Sequence, residues 1–114
     1  MRKVRDGNVQ PIVFWLRYRD ANKVSHPYDL STATKVTLHR LSRNRDKTSI
    51  NTVDNPSNLA ITDDINGEVT LTPSATFWKY ADGWYDIWFR TIDTGATVDN
   101  PEAEVENFMV TEGA

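Results

Sequence analysis

A turn dipeptide, Asp82-Gly83, runs directly into Trp84-Tyr85-Asp86-Ile87-Trp88-Phe89-Arg90, a run richer in aromatic residues than any other in the chain. Asp-Gly supplies the backbone freedom of a tight turn, and aromatic and β-branched residues favour the pleated, half-buried surface of a strand. In extended chain, successive side chains point to opposite faces. Tyr85, Ile87 and Phe89 then share a core face, whereas Trp84, Asp86, Trp88 and Arg90 share the other. The second face sets two tryptophans beside charges, which is the signature of a surface with a partner.

The remaining sequence repeats this grammar in weaker form. Gln10 to Tyr18 reads as a strand with Ile12, Phe14, Leu16 and Tyr18 on one face and Val13, Trp15, Arg17 and Arg19 on the other. Residues 20 to 33 hold turn formers and read as a long connection. Lys35 to Leu41 alternates cleanly, Lys47 to Val53 reads as an edge strand, and Leu59 to Thr62 and Glu68 to Thr72 flank a turn at Asn66-Gly67. One short helical turn is expected near residues 74–80, where Ser74 precedes Ala75, Phe77 and Trp78. After the strand from Trp84 to Ile92 come a turn at 93–96, an acidic loop through Pro101, and a last strand over about 104–111 with Phe108 and Val110 on one face.

About seven short strands with turn signals every 8 to 15 residues predict an all-β, antiparallel sandwich; a small barrel is the competing architecture. Parallel α/β needs crossover helices that the chain lacks. At 114 residues a single core is feasible without metals or disulfides, and zero cysteines remove thiol chemistry altogether. Residues 1–9 are charged and read as an N-terminal arm, leaving 10–112 as one domain. No apolar run is long enough for a membrane span, and the polar start does not resemble a signal peptide.

Charge is unevenly distributed. Residues 1–50 hold 11 Lys/Arg against 4 Asp/Glu, and residues 51–114 hold 2 against 12. Two readings follow: neighbouring strands neutralise one another, or opposed faces steer head-to-tail packing in an assembly. A third, a basic nucleic-acid patch built from Arg17, Arg19, Arg40, Arg43 and Arg45, is opposed by the net charge of −3.

Motifs for chemistry are missing. His26 and His39 stand outside any ligand-spaced pattern and read as surface histidines. Asp63-Asp64 with Asn66-Gly67 lacks the spacing of a calcium loop and reads as a solvated turn. No nucleophile elbow or glycine-rich phosphate loop occurs. The expectation is a non-enzyme without cofactor or metal. Its informative residues are aromatic: Trp15, Trp84 and Trp88, with Arg17 and Arg90, form the expected interface, since tryptophan and arginine concentrate in hot spots. The alternative is a carbohydrate-binding module that uses the tryptophans as stacking platforms.

At Asp82-Gly83-Trp84-Tyr85-Asp86-Ile87 the sequence resembles the corner leading into strand F of immunoglobulin-like domains, with Tyr85 as the corner tyrosine. Ile87 stands where antibody domains carry their second cysteine, so the antibody disulfide is absent. A closer likeness is to immunoglobulin-like domains of tailed-phage virion proteins, such as the amino-terminal domain of baseplate upper proteins. Asp29-Leu30-Ser31-Thr32-Ala33 leading into Lys35-Val36-Thr37-Leu38, then Asp64-Ile65-Asn66-Gly67-Glu68-Val69-Thr70-Leu71, then Gly83 to Phe89 carry it. That resemblance implies a structural or accessory part of a virion, at a capsid, neck, tail or baseplate surface. It implies docking on other virion proteins as repeated copies in a symmetric assembly. The larger modules that follow such domains in baseplate proteins are not seen here, which favours a small accessory or decoration subunit.

Overall fold

The computed structural model describes residues 2–93, 96–99 and 106–112, with side chains described outside 93–105. Eleven strands occur in this part: β1 (Arg2–Arg5), β2 (Ile12–Trp15), β3 (Arg17–Arg19), β4 (Ser25–Pro27), β5 (Ala33–Ser42), β6 (Lys47–Asn51), β7 (Leu59–Asp63), β8 (Glu68–Leu71), β9 (Trp84–Asp93), β10 (Ala96–Asp99) and β11 (Glu106–Thr111). The expected all-β, antiparallel character is present, with one parallel pair, β1 on β11. A main sheet runs β1-β11-β9-β5-β6, with β10 also on β9; a second sheet runs β2-β8-β7; β3 and β4 form a two-stranded ribbon.

Alternation explains which face of each strand is buried. Val36 and Leu38 of β5, Tyr85, Ile87 and Phe89 of β9, and Phe108 and Val110 of β11 enter one core with Ile12, Phe14, Leu59, Val69 and Leu71 from the second sheet. The Phe14 ring meets Phe89 at 5.0 Å and Phe108 at 6.0 Å, both edge to face, the geometry aromatic quadrupoles prefer. The register Leu38↔Phe89, His39↔Trp88, Arg40↔Ile87 places His39 with Trp88 on the outer side. A one-residue slip would expose the whole inner set.

Several expectations need correction. Residues 2–5 of the expected arm are a strand: β1 pairs with β11, Val4 is buried, and Thr111 Oγ1 donates to the Val4 carbonyl at 3.2 Å. One apolar residue among three cations gives no readable alternation, so only the partner strand reveals it. The expected strand Gln10 to Tyr18 breaks at Leu16, whose N–H donates to the Gly67 carbonyl and whose carbonyl accepts from Tyr28, each at 2.8 Å. Beyond Leu16 the chain changes partner, and Tyr18 leaves the core to stack on His26 at 5.3 Å. The connection 20–33 contains β4. The helical turn is a 3-10 turn at Tyr80–Asp82; residues 74–78 instead make a turn closed by the Phe77 N–H on the Ser74 carbonyl at 3.1 Å. The turn expected at 93–96 and the acidic loop through Pro101 lie largely outside the described residues, although β10 covers 96–99.

Two glycines hold these connections. Gly67 has φ +71°, and a Cβ there would meet the Leu16 carbonyl oxygen at 2.5 Å and that of Tyr28 at 2.7 Å. Gly83, at φ +76°, closes the 3-10 turn by donating to the Tyr80 carbonyl at 3.0 Å.

Candidate docking surface

The inner end of β9 fixes where its outer side chains stand. Tyr85 is fully buried; its hydroxyl donates to Asp82 Oδ2 at 2.5 Å and accepts from the Lys79 N–H at 3.3 Å. Burial, followed by the hydrogen bond to Asp82, pushes the phenol up to about 12, because both disfavour the phenolate. Trp78, also fully buried, packs on Phe108 at 4.9 Å and on Tyr85 at 5.8 Å, and its indole N–H has no partner. Arg40 lies inward, its guanidinium 4.8 Å from the Phe77 ring and 4.6 Å from the Tyr85 ring, donating to the Phe77 carbonyl and to Thr48 Oγ1. A cation over two aromatic faces is stabilised by their quadrupoles where water is scarce. Arg40 is therefore part of the packed end, which removes it from any solvent-facing basic stripe.

On the other side of the same strands, the described side chains are less buried. Reading across the main sheet, Lys3, Met109 and Trp84 share one row, Asn107, Asp86, Leu41 and Lys47 the next, and Trp88, His39 and Ser49 the third. Arg90 and Thr37 follow. Trp88 and His39 stack at 5.3 Å and 28°, the Lys47 ammonium sits 5.8 Å from the Trp88 ring centroid, and His39 Nδ1 is 2.7 Å from Ser49 Oγ. The side-chain amide of Asn107 donates to Asp86. Met109 is 39% exposed and both tryptophans are half-buried. The result is a face on which Met109, Trp84, Leu41 and Trp88 surround Asp86 and Asn107, bordered by Lys3 and Lys47.

The expected interface residues do not form one patch. Trp84, Trp88 and Arg90 share the outer face of the main sheet. Trp15 lies on the second sheet, opposite Glu68 in register, on the side away from Phe14, and is 61% exposed. The two sheets face each other through the core, so their outer faces look in opposite directions. Arg17 belongs to the ribbon, where its Nε donates to Ser25 Oγ at 2.8 Å. Strand alternation could tell inner from outer within each strand, but not which strands share a sheet.

Sequence reading missed His39, Lys47, Leu41 and Met109. Each is ordinary alone; the register of β5 with β9 and β6 assembles the first three. The expectation of a surface histidine fails for His39, which is only 9% exposed beneath Trp88. His26 pairs with Asp20 at 2.8 Å, and that bond, with the Val24 N–H second, holds the Asp20 carboxyl below its usual range. This pair braces the β3–β4 ribbon: Asp20 Oδ1 also accepts from the Asn22 and Val24 N–H groups.

Elsewhere, an open groove of about 500 Å³ is lined by Leu30, Ser31, Ala33 and Ile61 to Asp64. In it Asp63 is tied to Asn66 and Asp64 to the Ile65 N–H, so these carboxylates serve their own turn. Among the described residues, no group of three His, Cys, Asp or Glu is arranged to hold a metal ion. Comparison of the chain with protein-family models and with curated proteins finds no match.

Proposed function

We propose that this chain is an immunoglobulin-like β-sandwich that serves as a non-enzymatic structural or accessory protein of a bacteriophage particle, docking through the outer face of its main sheet. Two features support the fold assignment. The strand order fits the immunoglobulin plan, with β2, β8 and β7 as strands B, E and D, β5, β9 and β11 as C, F and G, and β1 parallel to the last. Tyr85 bonds back to the backbone N–H of Lys79, six residues upstream, as the corner tyrosine of that plan does.

The observation that carries docking is the group of Met109, Trp84, Leu41 and Trp88 flanked by lysines. Tryptophan and methionine are enriched at interface cores, and exposed aromatic and apolar side chains set among polar and charged ones have the composition of one. The virion setting rests on the sequence resemblance. Particles purified from the phage that encodes this chain are the test: the chain should be present in multiples set by the particle's symmetry, and Trp84→Ala/Trp88→Ala should remove it from particles while leaving it folded. A chain absent from purified particles overturns the virion setting. Retention of the double variant overturns the docking face.

Carbohydrate binding is the second reading, favoured by the exposed indole of Trp15. Trp88 suits it poorly, because His39 already stacks on its ring. A glycan array read by quenching of tryptophan fluorescence separates the two: a sugar response abolished by Trp15→Ala supports the second reading, and a flat response removes it.

A further inference from the structure

Among the described side chains, the two outer faces carry opposite charge. On the main sheet, Lys3, Arg5, Lys35 and Lys47 stand at outward positions, since Val4, Val36 and Leu38 beside them point inward. Among the described side chains, Asp86 is the acid on this face; it accepts from the Asn107 amide, keeps its charge, and is outnumbered by the four cations. On the opposite side, β7, β8 and the turn between them, residues 59–71, contain Asp63, Asp64 and Glu68 and no Lys, Arg or His. Glu68 faces out beside Trp15, and Ile65, at the hairpin tip, is 66% exposed. The cations Arg17, Arg19 and Lys23 belong to the separate β3–β4 ribbon and its turn.

Among the described side chains, each face therefore joins exposed apolar surface to a net charge, and the signs differ. Trp84, Trp88 and Met109 accompany lysines; Trp15 and Ile65 accompany carboxylates. Two like faces brought together would oppose like charges, which disfavours an isologous pairing, whereas front against back matches both charge and apolar content.

We propose that the occupant of the main-sheet face is a second copy of this chain, presented by its β7–β8 hairpin, so that copies associate head to tail. Such an interface is heterologous: it closes into a ring if the rotation between copies permits and otherwise extends into a filament. The proposal rests on the docking reading in that it uses the same face, and it names the partner. It also puts the uneven charge of the two chain halves to use, since the basic half supplies most of the front cations and the acidic half supplies the hairpin.

A charge swap with purified chain tests it. By sedimentation velocity at low ionic strength, the wild-type mass should rise with protein concentration, and return to monomer in about 1 M salt, where the screening length falls to about 3 Å. Lys3→Glu/Lys35→Glu/Lys47→Glu leaves Arg5 and Arg90 against four carboxylates on the front, which makes that copy acidic on both faces, and Asp64→Lys/Glu68→Lys leaves only Asp63 against two lysines on the hairpin, which makes it basic. Each variant alone should associate at least about tenfold more weakly than wild type, with unchanged circular dichroism and melting confirming its fold. A one-to-one mixture should recover association, because each altered face then meets its complement. A wild type that stays monomeric at low salt overturns the proposal, as does a variant that associates alone as well as wild type, or a mixture no stronger than its components. Should the chain be monomeric in solution yet present in purified particles, this inference falls and the docking reading stands.

Discussion

The two sides of β9 are built from the same kinds of residue and used in opposite ways. On the inner side, Tyr85, Ile87 and Phe89 are locked: Tyr85 has both hydrogen-bond partners, and Trp78, Phe77, Arg40 and Phe108 close around it. On the outer side, Trp84 and Trp88 are half-buried, and Trp88 has His39 and Lys47 from neighbouring strands against its ring. Aromatic content alone does not say whether a residue stabilises the fold or waits for a partner. What separates the two, among the described residues, is a second layer above the ring, which the inner side has.

Substitutions should divide along that line. The largest effect belongs to Trp78→Ala, which removes a fully buried indole and should lower unfolding free energy by about 3–5 kcal/mol, read by urea denaturation. If it cost no more than Trp88→Ala, the inner and outer sides would be energetically alike and the contrast would be lost. Gly67→Ala should come next, at about 1–3 kcal/mol, because its Cβ would strike two carbonyl oxygens in a left-handed conformation. That change acts where the second sheet passes into the ribbon and should leave the outer face of β9 intact.

Tyr85→Phe keeps the ring and deletes the hydroxyl, leaving the Lys79 N–H and Asp82 without it, for a loss of about 1–3 kcal/mol. The same residue gives a pH signature. Its folded pKa, about 12, lies above the ordinary value of 10.0, so the unfolded chain loses the proton first as pH rises. Its stabilising contribution is then whole below pH 10.0 and is lost as pH rises towards about 12. Tyr85→Phe should flatten that part of the stability profile, measured by denaturant midpoints across the alkaline range. The smallest effect on folding is expected for Trp15→Ala, within about 0.5 kcal/mol, as for surface substitutions that touch no packed feature. A loss of 2 kcal/mol or more, roughly the scale of a buried side chain, would place Trp15 in a packed layer.

Legibility followed the same division. The inner set Val36, Leu38, Tyr85, Ile87, Phe89, Phe108 and Val110 could be read from alternation, because a period of two is a local property of extended chain. Gly83 and Gly67 could be read as turns because only glycine takes their backbone angles cheaply. β1 could not, since its four residues hold a single apolar side chain whose burial depends on β11, more than a hundred positions away. Leu16 ends one strand pairing and begins another although its residue type is unremarkable there; the switch depends on Gly67 and Tyr28 approaching from elsewhere. Arg40 reads in the sequence as part of a basic stripe because a charge suggests solvent, yet Phe77 and Tyr85 give its guanidinium a place inside.

For residues 81–90, sequence alone determined that a tight turn feeds a strand with one core face and one face of tryptophans, because turn chemistry and side-chain alternation are local. Tertiary structure decided the rest. It paired Trp88 with His39 and Lys47, sent Trp15 to the outer face of the second sheet, and set Lys3, Arg5, Lys35 and Lys47 on the outer face of the main sheet. Those outcomes depend on which strands become neighbours and in what register. That choice is made by long-range burial of the inner faces, and the outer side chains are carried along to wherever it leaves them.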